Sequence, residues 1–171
     1  MDAPRSFLLA LGSNIDPERN LPLALSELSR VLSVESVSAV YETDPVDAPG
    51  TPRFLNAAVG VRAATTPHRL RADVLRPIEA RLGRVRTGDP NAPRTIDIDL
   101  VFVPGLVLED PASGLSLPDP EIARRPHLAL PVADIAGEAV HPVLGETLAA
   151  IAARLSSHGA YPVRTDVVFK V

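Results

Sequence analysis

The sequence predicts an α+β fold in which helices pack on an antiparallel sheet. Four short stretches are apolar or alternate with period two, as strands do, and two longer stretches repeat apolar residues every three to four positions, as amphipathic helices do. Their order, β-α-β-β-α-β, matches a ferredoxin-like core, and shorter helical and strand segments follow as a C-terminal extension. At 171 residues the chain can bury a real core, so we predict a single domain over residues 1–171.

The first half of the core is predicted from residues 7–53. Residues 7–11 are uniformly apolar and end in a Gly12-Ser13-Asn14 turn, which indicates a buried strand. Residues 34–41 are the second strand, and the proline-rich residues 43–53 indicate a long loop. The helix between the strands takes Asn20 as its N-cap, and its apolar stripe comprises Leu21, Ala24, Leu25, Leu28, Val31 and Leu32.

Residues 54–61 alternate cleanly and indicate the third strand. Phe54 and Asn56 share one face with the small residues Ala58 and Gly60, an arrangement that leaves room for a flat polar ring. The alternative is that Phe54 is ordinary core and Asn56 an edge residue.

The second helix is predicted to begin after Thr66, with Pro67 at its first position, and to end at Gly83. Pro77 lies inside this pattern and lacks a backbone N–H, so we expect a kink or break within residues 73–76. The apolar face comprises Leu70, Val74, Ile78 and Leu82.

The fourth strand, residues 95–103, carries the strongest functional signal. Asp97 and Asp99 point to one face, and Ile96, Ile98, Leu100 and Phe102 to the other. Asp is disfavoured in strands and neighbouring carboxylates repel, so a hard cation such as Mg²⁺ is the natural partner. The alternative is a solvated surface pair. Three preceding arginines suit phosphate binding and favour the metal hypothesis: Arg84, Arg86 and Arg94.

Beyond residue 104 the pattern is shorter and less regular. We expect a helical turn over residues 121–125, a segment over 128–135, a helix capped by Thr147 and a terminal strand over residues 161–171.

Composition limits the classes of partner. The net charge is −4, which disfavours nucleic acid and anionic membranes, and the chain has no cysteine for disulfides or thiolate chemistry. The apolar run near the start is too short for a signal peptide or a membrane span. We therefore expect a cytoplasmic protein, a monomer, that acts on small molecules.

Several motifs recur in the order and spacing of one family, and together they cover about residues 5–155. The chain resembles the 6-hydroxymethyl-7,8-dihydropterin pyrophosphokinases of folate biosynthesis. The motifs are Leu11-Gly12-Ser13-Asn14, Tyr41-x-Thr43, Phe54-Leu55-Asn56-Ala57-Ala58-Val59, Glu79-x-x-x-Gly83-Arg84-x-Arg86, Pro93-Arg94-Thr95-Ile96-Asp97-Ile98-Asp99, Arg125-Pro126 and Leu130-Pro131.

The resemblance implies transfer of pyrophosphate from ATP to the hydroxymethyl group of the pterin, with release of AMP. Asp97 and Asp99 would hold two Mg²⁺ ions, and Arg84 and Arg94 would be catalytic. The pterin would contact Thr43, Val46, Phe54, Asn56 and His127. The co-substrate ATP would contact Glu79, Arg84, Arg86, Arg94, Leu100, Ser116 and Arg125.

The chain departs from this family at four positions. Asp119 stands where the family commonly has His, and His127 replaces an aromatic residue that stacks on the pterin. Gly114 replaces an arginine, and Asn91 an aromatic residue of the arginine-rich loop.

Two rival functions use the same features. A nucleotide-sugar transferase can use Asp-x-Asp to hold metal, but it needs a larger nucleotide-binding sheet than 171 residues provide. A ferredoxin-like sheet can also bind RNA, which the acidic charge and the six aromatic residues disfavour.

Overall fold

The computed structural model describes residues 3–44, 50, 52–89, 92–157 and 161–169. The strands are β1 (Arg5–Ser13), β2 (Ser33–Val37), β3 (Tyr41–Thr43), β4 (Phe54–Ala63), β5 (Asp97–Phe102), β6 (Leu108–Asp110) and β7 (Leu115–Leu117). The helices are α1 (Pro17–Ser29), α2 (Pro67–Arg69), α3 (Arg76–Arg81), α4 (Pro126–Ala136) and α5 (Leu148–Ser156). A π-helical segment, Leu70–Leu75, joins α2 to α3, and a 3-10 turn spans Pro120–Ala123.

The main sheet has the strand order β2-β4-β1-β5. Strand β3 also pairs with β4, at residues 54–56, whereas β2 pairs with residues 59–62 of β4. All of these pairings are antiparallel. With α1 between β1 and β2 and the α2–α3 region between β4 and β5, this is the ferredoxin-like core, and the predicted fold class is confirmed. Strands β6 and β7 form a separate hairpin that the sequence did not reveal.

Apolar side chains fill both faces of the sheet. One cluster joins the sheet to α1 and to the helical region over residues 67–82, with Leu9, Leu25 and Ile78 among its buried members. The second cluster packs α4 and α5 on the other face, against Leu8 and Val101. The C-terminal extension is therefore a second helical layer, which covers only part of its face of the sheet.

A β-bulge in β5 corrects one prediction. Leu9 pairs with Leu100 and Leu8 with Phe102, so Val101 is skipped and the alternation shifts. Phe102 consequently lies in the second cluster rather than beside Leu100. The prediction that Phe102 lies on the same face as Ile96 and Ile98 was therefore wrong.

The break expected near Pro77 takes the form of the π-helical segment. The N–H of Arg76 bonds to the carbonyl of Arg71, five residues back, just before the proline. The wider turn changes which residues face the core. Leu75 is fully buried, whereas the predicted Val74 is only partly buried.

Helix α1 begins earlier than predicted. Asp16 occupies the N-cap position and Pro17 begins the helix, while Asn20 is buried and donates from Nδ2 to the Ile15 carbonyl at 2.6 Å. The prediction of Asn20 as N-cap was therefore wrong. The helix ends at Ser29, which leaves Val31 57% exposed rather than in the apolar stripe.

Two strand predictions need correction. The predicted strand over residues 34–41 is split into β2 and β3, because the Ser38 hydroxyl accepts from the Ala58 N–H at 2.8 Å and interrupts the ladder. The predicted terminal strand is reduced, within the described residues 161–169, to a single bridge between Val163 and Tyr41.

Candidate active site

The candidate site lies on the uncovered part of the face that carries α4 and α5. Central strand β1 places Gly12 between Asn56 of β4 and Asp97 of β5, and Ala10 between Ala58 and Asp99. Strands lie about 4.8 Å apart, so the Asn56 and Asp97 backbones are roughly 10 Å apart, with only small residues between them.

Gly12 is needed for this arrangement. A Cβ at position 12 would lie 3.3 Å from the Asn56 side-chain oxygen, so a larger residue would press on the amide. Gly12, which was predicted to begin a turn, lies within β1 and makes room for the Asn56 side chain.

The larger of two adjacent cavities, about 290 Å³, opens over this floor. Its lining combines an amide, an aromatic ring and an imidazole with carboxylates and arginines, and it contains most of the residues predicted for the pterin. The lining includes Thr43, Phe54, Asn56, Arg94, Asp97, Asp99, Asp119, Arg125 and His127.

The second cavity, about 250 Å³, is formed by the loop after α3 and the start of β5. Its lining includes Arg84 and Arg86, and it shares Arg94, Asp97 and Asp99 with the larger cavity. The two aspartates and Arg94 therefore lie where the two cavities meet.

Arg94 is fixed by the turn after β1. Its N–H bonds to Asn14 Oδ1 at 2.8 Å, and its carbonyl accepts from the N–H groups of Asn14 and Ile15 at 3.2 Å each. The guanidinium donates to Asp97 Oδ2 at 2.6 Å and lies 5.5 Å from the centroid of the Phe54 ring. Arg94 thus joins the carboxylate pair to the aromatic wall of the larger cavity.

Arg84 lines the second cavity with its side chain only 11% exposed. Its nearest carboxylate contact is Asp97, at 3.8 Å, which is an ion pair without a short hydrogen bond. Its buried Nε finds no hydrogen-bond partner within the described part of the chain. Because a buried donor without a partner is costly, this group is suited to an anionic ligand.

Asp99 is solvent-exposed and lines both cavities. Desolvation by the surrounding cavity wall, and then the nearby charges of Asp97 and Asp119, together raise its pKa to about 7. Burial likewise raises the pKa of Asp119. A cation between the carboxylates would relieve this repulsion.

Glu79 lies beneath the carboxylate pair and is 1% exposed. It accepts from the Ile98 N–H at 2.9 Å, and Arg76 and Arg86 donate to its other oxygen at 3.2 and 2.6 Å. Burial raises its pKa to about 8, opposed chiefly by the Ile98 hydrogen bond. Glu79 fixes β5 and holds Arg86, and it lines neither cavity.

Two groups define the polarity of the larger cavity. The Asn56 amide donates to Thr43 Oγ1 at 2.8 Å, which fixes its orientation and leaves its oxygen directed elsewhere. Burial, and then the charge of Arg125, lowers the pKa of His127, so its ring is neutral near pH 7.

Of the remaining predicted residues, some line a cavity and others do not. Arg125 lines the larger cavity and donates to Glu121 at 2.7 Å. The Leu100 side chain is in the core at 4% exposure, and the Ser116 hydroxyl donates to Glu109 on the β6–β7 hairpin, so neither side chain lines either cavity. Val46 lies outside the described residues.

Sequence reasoning missed several contributors. Asp44 and Glu121 line the larger cavity without belonging to any recognisable motif. Ser13 and Asn14 were interpreted as a turn and as part of a family motif, without a contact of their own, yet the Ser13 hydroxyl donates to the Thr95 carbonyl at 2.6 Å and the Asn14 side chain accepts from the Arg94 N–H. The pairing of β1 with β5 brings Ser13 and Asn14 close to Thr95 and Arg94.

The donor set fits Mg²⁺ held jointly with a phosphorylated ligand. Among the described residues, no group of three or more His, Cys, Asp or Glu side chains could hold an ion by protein alone. Two carboxylates open to a cavity lined by arginines are the pattern expected for Mg²⁺, which is commonly bound by one or two carboxylates and substrate phosphates.

A family model decides the assignment: residues 8–137 match 7,8-dihydro-6-hydroxymethylpterin-pyrophosphokinase (HPPK). The chain belongs to the HPPK family. It is 38% identical over 154 residues to the 2-amino-4-hydroxy-6-hydroxymethyldihydropteridine pyrophosphokinase of Methylorubrum extorquens, covering 88% of this chain and 94% of the relative. It is 33% identical over 159 residues to the protein of the same name from Synechocystis, covering 91% and 79%.

Other HPPK relatives are longer. The Pneumocystis carinii folic acid synthesis protein fol1 is 32% identical over 157 residues, which span 91% of this chain but 21% of fol1. The Plasmodium falciparum HPPK-DHPS crystal structure superposes with a TM-score of 0.70 at 17% identity, covering 92% of this chain and 46% of that one. At this identity the structural likeness establishes the fold. Among the described residues, no helix is long and apolar enough to cross a membrane.

Proposed function

We propose that this HPPK-family chain transfers the β,γ-pyrophosphate of ATP to the hydroxymethyl oxygen of 6-hydroxymethyl-7,8-dihydropterin. One observation carries the proposal: Asp97, Asp99 and Arg94 line both cavities. The pterin would bind in the larger cavity and the triphosphate in the smaller one, so the hydroxymethyl group and the phosphate would meet at these three residues.

The larger cavity supports pterin binding by hydrogen bonding and stacking. The Asn56 amide, fixed by Thr43, would pair with the polar edge of the ring, and Phe54 and His127 would contact its faces. Neutral His127 can stack without placing a charge against the ring. Val46 stays a prediction as a pterin contact.

The smaller cavity supports phosphate binding. Arg84 and Arg94 would donate to phosphate oxygens there, and Arg86 would assist. Arg125 lines only the larger cavity, and its contact with ATP remains a prediction. Glu79 would act indirectly, by holding Arg86 and the backbone of β5. Leu100 could contact the nucleotide only through its backbone, and Ser116 stays a prediction as an ATP contact.

Asp97 and Asp99 would hold two Mg²⁺ ions together with the phosphates. Bound Mg²⁺ would neutralise phosphate charge at the attacked phosphorus. The hydroxymethyl oxygen would bond to the β-phosphorus while the bond from that phosphorus to the α,β-bridging oxygen breaks; AMP leaves, and the hydroxyl proton is lost to solvent. The side chains of the protein would position the substrates. Arg94 lies between the two cavities, and Arg84 would stabilise the negative charge that develops on the leaving AMP.

The sheet supports this enzyme rather than an RNA-binding module. Helices α4 and α5 cover part of the face on which bases would stack, and the uncovered part carries the carboxylates of Asp97 and Asp99. A single domain over residues 1–171, a monomer, a cytoplasmic location and the lack of a nucleic-acid partner stay predictions.

A product assay tests the proposal. The protein would be mixed with ATP, Mg²⁺ and the hydroxymethyl dihydropterin, and nucleotides separated by chromatography. We expect AMP in a one-to-one ratio with the pterin diphosphate. Formation of ADP, or of AMP without the pterin, would contradict it.

A further inference from the structure

The C-terminal segment over residues 161–169 lies beyond the residues matched by the family model, yet it pairs with β3, whose last residue, Thr43, lines the larger cavity. It runs antiparallel to β3, with a bridge between Val163 and Tyr41. The Glu42 N–H donates to the Pro162 carbonyl at 2.8 Å, and the Arg164 N–H to the Val40 carbonyl at 2.8 Å. The three-residue β3 is therefore held between β4 and this segment.

Arg164 adds side-chain contacts to the backbone pairing. Its guanidinium donates to Glu42 at 2.9 Å, to Glu18 of α1 at 3.1 Å and to Asp166 at 2.7 and 2.8 Å. Its side chain is 26% exposed, which reduces solvent screening relative to a fully exposed pair. Arg164 thus connects the C-terminal segment, α1 and β3.

Glu42 carries the connection to the cavity. Arg164 donates to one of its oxygens, and Arg53 donates to the other at 2.7 Å. Arg53 also pairs with Asp44 at 3.0 Å. Glu42 precedes and Arg53 follows the segment over residues 44–52, so one carboxylate joins the two ends of this connection.

The neighbours of Glu42 and Arg53 line the larger cavity. Thr43 accepts the hydrogen bond that orients the Asn56 amide, and Phe54 lies against Arg94. Thr43 pairs directly with Phe54, and Glu42 with Leu55, so loss of the contacts on Glu42 would loosen the short β3 on β4 and displace the Thr43 hydroxyl. The second cavity contains neither residue.

We propose that Arg164 is a positioning residue for the pterin. Through Glu42 it holds β3 in place, including the Thr43 hydroxyl that orients the Asn56 amide, and so it governs pterin affinity without contacting either substrate. This inference rests on the proposed function, in which the larger cavity binds the pterin.

The test compares Arg164→Met with Arg154→Met in the full chain. Arg154 is a matched control, because it also pairs with a carboxylate, Glu146 at 3.6 Å, but lies on α5 away from both cavities. Pterin binding is measured by equilibrium fluorescence and ATP binding by calorimetry. We expect Arg164→Met to weaken pterin binding about three- to tenfold, with ATP binding and kcat unchanged.

Further variants separate positioning from folding. Glu42→Gln should reproduce the weaker pterin binding, and its combination with Arg164→Met should add little, because both act through one contact. Arg164→Lys should restore part of the affinity. Thermal unfolding of each variant shows whether it is folded, and Arg164→Lys replaces Arg164→Met if the latter is not.

Different results would contradict the positioning role and the proposed function. Pterin affinity equal to wild type in a folded Arg164→Met variant would overturn the positioning role alone, as would an equal weakening of pterin and ATP binding. A wild-type protein that binds no pterin would overturn the proposed function and this inference together.

Discussion

The side chain of Asn14 accepts a hydrogen bond from the backbone of Arg94 at 2.8 Å, across 80 residues of sequence. Asn14 is 4% exposed and touches neither cavity, whereas Arg94 lines both. The position of the arginine between the two cavities therefore depends on a residue that directly follows β1.

Replacement of Asn14 should impair catalysis without removing any substrate contact. We expect Asn14→Ala to lower kcat by about 10- to 100-fold, because small displacements of a positioning group are costly. Asn14→Asp keeps the accepting oxygen and should retain most of the activity. Steady-state kinetics would check this, and wild-type kcat in Asn14→Ala would contradict it.

The two cavities should respond to different substitutions. Asn56→Ala should raise the KM for pterin about 10- to 100-fold, because a lost buried hydrogen bond costs about 1–3 kcal/mol. The KM for ATP should stay near the wild-type value.

Arg84→Met is the reciprocal variant, since Arg84 lines only the smaller cavity. It should raise the KM for ATP and lower kcat while pterin binding is retained. Loss of pterin binding in Arg84→Met, or of ATP binding in Asn56→Ala, would show that the substrates are assigned to the wrong cavities.

The bulge in β5 predicts a large stability effect at Phe102, whose side chain is fully buried between the sheet and its second helical layer. Phe102→Ala should lower the free energy of unfolding by about 3–5 kcal/mol in urea titrations. The control Val168→Ala, at a residue 62% exposed, should change it by less than about 0.5 kcal/mol. Similar values for both variants would contradict this packing.

The sequence predicted the core because its signals are local. Asp97 and Asp99 alternate with Ile96 and Ile98, and both carboxylates do lie on one face at the cavities. The bulge at Val101 was missed because it depends on how β5 pairs with β1. Likewise, Gly12 was predicted as a turn residue, and nothing in the local sequence indicates that it lies in β1 beside Asn56.

The second helical layer was harder to predict for the same reason. Residues 128–135 were recognised as a segment, but their contacts with Leu8 and Val101 arise only in the folded chain. The strand predicted over residues 161–171 has suitable apolar residues, yet Pro162 lacks an N–H and only one bridge forms within the described part.

His127 should make stability depend on pH. Burial lowers its folded-state pKa below the ordinary value of about 6.5, so the unfolded chain takes up the proton first. The contribution of His127 to the free energy of unfolding is therefore complete above about pH 6.5 and is lost as the pH falls below that value.

The comparison is with His127→Phe, which cannot titrate. From about pH 7.5 to about pH 5.5, wild type should lose more unfolding free energy than the variant, by at most about 1.4 kcal/mol per pH unit. Urea titrations at each pH would measure the difference. Parallel curves for the two proteins would contradict a depressed pKa at His127.

The central claim is that Asp97 and Asp99 hold metal ions together with the phosphates of ATP. The most direct measurement counts Mn²⁺ by electron paramagnetic resonance in the presence of a non-hydrolysable ATP analogue, for wild type, Asp97→Asn, Asp99→Asn and the hairpin control Asp110→Asn. We predict two bound ions in wild type and the control, and metal affinity at least about tenfold weaker in each site variant. Equal Mn²⁺ binding by all four proteins would contradict the claim.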